Sequence, residues 1–231
     1  MRLGRFTLAV SAAALGATLL IGPAGAAPDY VLDAAGIEQT VLRAQMPRTL
    51  GPRHQNTYFS WARNDTGYHA VLCYSATGSR YQLPHPRMGG GVSYSVGPNI
   101  VGSVTVHQYA DQLAADAALA MLKGIDCPDS TAVRTDTGGV VMGTQTSDFT
   151  DSSHSGIESV MTYKSMGGDG LATIMEIRTT TQAGLVVVQT EVHLVSPAAT
   201  HRNLDRAVAL NRQWHAQAVA AYRAFGSGNS R

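Results

Sequence analysis

Four apolar-alternating segments follow one another through the second half of the chain, at 139–149, 157–166, 171–181 and 185–195. The gaps between them are short and hold turn residues: Asp151-Ser152-Ser153, Gly167-Gly168-Asp169-Gly170 and Gln182-Ala183-Gly184. Gaps this short cannot carry a crossover, so successive strands must run antiparallel and pair as hairpins. This run constrains the fold more than any other feature. Pro197 ends it, and a helix is expected from 199 to 225, with Leu210, Trp214, Ala218, Ala221 and Phe225 along one face.

The first half is mixed. Residues 32–46 place Ile37, Val41, Leu42 and Met46 at helical spacing, and Pro47 stops them. Two short strands are expected at 57–61 and 68–74, around the turn Asn64-Asp65-Thr66-Gly67. Residues 103–109 alternate: Val104, Val106 and Gln108 point one way, and Thr105, His107 and Tyr109 the other. Asp111 then stands where an N-cap belongs, before an Ala-rich helix with Leu113, Ala117, Ala120 and Met121 on one face. Residues 75–100 are punctuated by Gly, Pro and Ser and are expected to form a long loop, with Met88-Gly89-Gly90-Gly91 as a mobile stretch. The fold class that follows is α+β: an antiparallel β-sheet with helices packed on one face, in a single disulfide-stapled domain.

The N-terminus reads as an export signal. Arg2 and Arg5 precede an apolar run from 6 to 21; Gly22-Pro23 breaks it, and Ala24-Gly25-Ala26 supplies the small residues that signal peptidase accepts. The run falls short of the ~20 residues needed to span a bilayer. The expected division is a signal peptide at 1–26 and one extracytoplasmic domain at 27–231, with an ordered core at about 32–225. The domain is expected to be secreted, or held in the cell envelope, by the general secretory route, with no stable membrane span after cleavage. Outside the cytoplasm, the isolated pair Cys73 and Cys127 is expected to form a disulfide.

Loss of Arg2 and Arg5 leaves 15 Lys and Arg against 16 Asp and Glu. A balance so near neutrality argues against nucleic acid and against a polybasic membrane patch. The eight histidines form no HxxxH or HExxH spacing, and His201, Asp205 and His215 need a ligand from elsewhere to complete a metal site. There is no GxSxG, and oxidised cysteines supply no thiolate. Glu158, Glu176 and Glu191 fall in successive strands, where a cross-strand pair such as Glu176 with Lys164 accounts for a carboxylate simply. No catalytic residue, metal or cofactor is therefore assigned. Tyr74, Tyr81, Tyr94 and Tyr109 gather around the long loop and are the candidate ligand-binding residues, since tyrosine brings contact area at low rotamer cost.

The run VTVHQYADQLAADAALAMLKGIDCPDSTAV, the strands after it and the Trp214–Tyr222 helix resemble the extracellular sensor domain of PknH-type mycobacterial serine/threonine kinases, found also in actinobacterial secreted proteins and lipoproteins. The resemblance extends over about 35–225 and implies an α+β fold with a ligand-binding cleft. That family has two disulfides where this chain has cysteines for one, and no kinase domain accompanies it here. The resulting expectation is a non-enzymatic, sensor-like domain binding an unknown envelope ligand. The alternatives are an envelope protein–protein interaction module and a hydrolase with an unrecognised site.

Overall fold

The computed structural model describes residues 31–62, 71–74, 80–123, 140–150, 155–167 and 170–228. The expected signal peptide and Cys127 lie outside these residues. The elements in chain order are α1 (Ala34–Arg43), a 3-10 turn (Arg48–Leu50), β1 (His54–Ala62), β2 (Val71–Tyr74), β3 (Arg80–Gln82), β4 (Met88–Ser95), β5 (Ile100–Gln108), α2 (Gln112–Lys123), β6 (Val140–Thr150), β7 (Ser155–Gly167), β8 (Gly170–Ala183), β9 (Val186–Val195) and α3 (His201–Gly228). Seven strands form one sheet in the order β1-β4-β5-β9-β8-β7-β6, and β2 pairs with β3 as a separate ribbon. Every pairing is antiparallel. The fold is thus α+β.

Strand periodicity sorts the side chains onto two faces. On one face Val92, Tyr94, Val104, Val106, Ile177, Val186, Val188, Val192 and Leu194 form the core with Ile37, Val41, Leu210, Trp214 and Ala218. Those last residues come from α1 and α3, which lie side by side over this face. Trp214 sits at the centre, fully buried, with its indole nitrogen donating to the carbonyl of Ala44 (2.6 Å) and its ring edge-on to Tyr94. The N-terminal segment is tied down by Gln108, which exchanges two hydrogen bonds with the backbone of Leu32.

The expected layering needs correction. Only α1 and α3 share a face; α2 packs on the other, where Ala115 and Ala118 meet Val187 and Tyr109. Leu122 joins Ile157, Met161, Tyr163 and Ile174 on that same side. Asp111 caps α2 as its position implies, accepting from Ala114 N at 2.8 Å. The buried positions are Ala115, Ala118 and Leu122, however, and Leu113 is 80% exposed, so the helix is rotated from the expected orientation.

The second correction concerns 75–100. Residues 88–95 are an interior strand of the sheet, and 80–82 a short one in the ribbon. Glycine reads as a loop signal, but here it admits close neighbours. A Cβ on Gly91 would stand 2.6 Å from the ring of Phe59 and 2.9 Å from the carbonyl oxygen of Val104. Phe59 lies across the glycine as an aromatic cover, a pairing known to stabilise glycine in strands. No Cys73–Cys127 disulfide is present among the described residues, which include the backbone of Cys73 but not Cys127.

Candidate functional site

The face carrying α2 has a polar centre. Residues 176, 178 and 180 of β8 and 189, 191 and 193 of β9 point to it by strand alternation. Arg178 is paired in register with Glu191, Glu176 with His193, and Ser103 of β5 with Glu191 from the other side. This register brings two carboxylates, a guanidinium and an imidazole together.

Arg178 is the hub. Its Nε donates to Glu191 Oε1 at 2.6 Å and its Nη2 to Glu176 Oε1 at 2.8 Å. Gln189 also donates to Glu191 Oε1 (2.7 Å), and Ser103 Oγ approaches Glu191 Oε2 at 3.4 Å. His193 Nε2 stands 3.6 Å from Glu176 Oε2 and 3.5 Å from Glu191 Oε2. The Glu176 and Arg178 side chains are nearly inaccessible, whereas His193 (23% exposed) and Glu191 (16%) form the open rim.

His107, one strand over on β5, is buried on this face with Nε2 3.2 Å from Thr105 Oγ1. Burial lowers its pKa to about 4; the nearby Glu191 works against this and Arg178 with it. It is therefore neutral at pH 7. The Thr180 hydroxyl, fully buried in the same layer, has no hydrogen-bond partner among the described residues.

A second polar seam lies under α3. His215 is fully buried between Thr190 Oγ1 (3.2 Å) and Thr181 Oγ1 (2.9 Å), and Asn211 Nδ2 donates to Thr179 Oγ1 (2.8 Å). Arg212 makes a two-pronged contact with Glu158 at 2.7 and 2.8 Å, which raises the Arg212 pKa. Short polar groups matched across a helix and a sheet fix the helix at one register, because any slide leaves buried groups unpaired.

The expected tyrosines divide. Tyr94 is buried under Trp214 in the core, where burial raises its pKa against the opposing effect of Arg53. Tyr109 is buried on the other side of the sheet against α2. They do not meet on one surface. The side chains of Tyr74 and Tyr81 lie outside the described residues, though their backbones pair with Arg80 and Cys73 in the ribbon. The expected Glu176–Lys164 pair is absent too: Lys164 pairs in register with Thr173, and Glu176 goes to Arg178. Glu158 is on the opposite face from Glu176 and Glu191, paired with Arg212.

The residues that sequence reading missed are Arg178 and His193. The signal was present, as Glu176-x-Arg178 and Glu191-x-His193 at alternate positions of two adjacent strands, but only the register shows that they interlock.

Chemically, Glu191 lies between the Ser103 hydroxyl and the His193 imidazole. Hydroxyl activation requires imidazole between hydroxyl and carboxylate, so these distances do not describe a serine relay. Among the described residues, no group of three or more His, Cys, Asp or Glu could hold a metal ion, and no helix is long and apolar enough to cross a membrane.

No protein-family model matches the chain, and no curated protein matches it in sequence. Among solved structures it is similar to the extracellular domain of PknH from Mycobacterium tuberculosis, at 11% identity over 84% of this chain and 93% of that one, with a TM-score of 0.44. It is also similar to LpqN, involved in cell envelope biogenesis in the same organism, at 15% identity over 69% of this chain and 90% of that one, with a TM-score of 0.33. Both are weak structural resemblances.

Proposed function

We propose that this chain is an exported, extracytoplasmic domain of the cell envelope that binds a ligand on the polar face of its sheet and performs no chemistry on it. The observation that carries the reading is the Glu176–Arg178–Glu191–His193 cluster, whose buried members end at a partly open rim. Charges are costly to take out of water, and a sheet face covered by a helix is cheaper to build from apolar residues. Partly buried charge clusters gather at functional sites, although purely structural ones also exist. Here the rim groups, Glu191 and His193, offer a ligand an acceptor and an imidazole, while Arg178 and Glu176 hold them in place from behind.

Native mass spectrometry of the processed protein, purified gently from its own host, tests the reading. A discrete adduct lost on denaturation is expected, and it should be depleted in a Glu191→Gln variant. A clean apo mass from both would overturn it. The same spectra test the proposed Cys73–Cys127 disulfide, which makes the denatured mass two hydrogens lighter than the reduced chain.

A further inference from the structure

The near-neutral total hides a local excess of positive charge on the helix side of the molecule. Arg43 ends α1, Arg48 lies in the 3-10 turn, and Arg202 and Arg206 stand one turn apart at the start of α3. All four are exposed, and none has an ion-pair partner among the described residues.

Two hydrogen bonds bring them together. Trp214 holds the Ala44 carbonyl, and Arg206 Nη2 donates to the Thr49 carbonyl at 3.1 Å. The segment from Arg43 to Thr49 is therefore clamped along the first half of α3. Thr200 caps that helix, its hydroxyl accepting from Asn203 N (3.3 Å), so the positive end of the helix dipole falls at the same place. Asp205 is interleaved among the arginines and offsets one of them.

We propose that this arginine surface docks the domain on an anionic lipid bilayer. A single anion needs donors converging on one point. Four exposed guanidinia spread over three elements match a plane of negative charge instead. Because α1 and α3 cover the face opposite the Arg178 cluster, docking turns the proposed ligand face away from the membrane. The proposal does not depend on the ligand reading, since vesicle binding is measured without ligand.

The test is co-sedimentation of the processed protein with phosphatidylcholine vesicles, pure or containing about a third phosphatidylglycerol. Binding is expected only to the anionic vesicles. It should vanish at about 1 M salt, where the Debye length is ~3 Å. Each of R43Q, R48Q and R202Q should lower partitioning about fivefold, the factor equivalent to about 1 kcal/mol per basic residue at an anionic surface.

Arg48 and Arg202 have no side-chain hydrogen bond or ion pair among the described residues, so the R48Q/R202Q double variant should melt like the parent while binding about 25-fold less. Three results would overturn the proposal: no binding to anionic vesicles at low salt, equal binding to neutral ones, or full binding by the double variant. Capture by soluble polyphosphate without vesicle binding would also overturn it, and would point to an anionic polymer.

Discussion

Replacing Arg178 by methionine should destabilise the domain by about 3–5 kcal/mol, the range seen when one partner of a buried ion pair is removed. The guanidinium is the shared counter-charge of Glu176 and Glu191, and its own side chain is only 7% exposed. Without it, two carboxylates stand diagonally on adjacent strands with their shared guanidinium gone, one of them almost fully desolvated. The triple change Glu176→Leu, Arg178→Met, Glu191→Leu should recover most of that loss, because burying no charge avoids the desolvation cost. Urea denaturation of the parent, single and triple variants measures both. A single-variant loss below about 1 kcal/mol would mean that water screens the cluster as it does a surface pair.

The second large effect is with pH. His107 has a folded-state pKa of about 4, below the ordinary 6.5. Between these values the unfolded chain binds a proton that the folded one refuses. Stability from this group is therefore intact above pH 6.5 and falls as pH drops toward 4, by about 3 kcal/mol over the window. The comparison that isolates His107 is parent against His107→Gln. The variant's stability should vary less steeply with pH over the same range. Parallel curves would show that the imidazole is protonated, or solvated, in the folded state.

Much of the architecture could be read from residue order. The four C-terminal strands, the helix within 32–46, the long helix carrying Trp214, and the alternation around Val104 and Val106 all follow from local periodicity, and each is present. What failed was whatever depends on the neighbour. The glycines at 89–91 look like a loop because sequence shows their freedom and not the Phe59 ring lying across Gly91. The Ala-rich helix α2 looks equally able to bury several faces, since alanine discriminates poorly, and only packing selects Ala115, Ala118 and Leu122.

The site was less legible still. Tyr94 and Tyr109 are close in sequence to the expected loop, yet they are core residues on opposite sides of the sheet. Arg178 and His193 gain meaning only from the β8–β9 register, which no local pattern reports. Net charge misleads in the same way: it sums over the surface and cannot show four arginines on one side of it.

The strand order has a consequence for how the molecule comes into being. β6 to β9 are joined by successive hairpins, and β4 to β5 by a short turn, so these pairings close quickly. β5 and β9 are different: they join residues far apart in the chain, as in Ile100 with Leu194 and Gln108 with Val186. Closing so long a loop is entropically expensive and is deferred until the local pieces exist. The seam between the two half-sheets is therefore expected to form last. Pulsed hydrogen exchange during refolding should protect the amides of β7 and β8 before those linking β5 to β9. Ser103 and Glu191 face each other across that seam, so the β8–β9 hairpin brings Glu176, Arg178, Glu191 and His193 together first, and the β5 wall beside the proposed ligand face is added only when the last pairing zips shut.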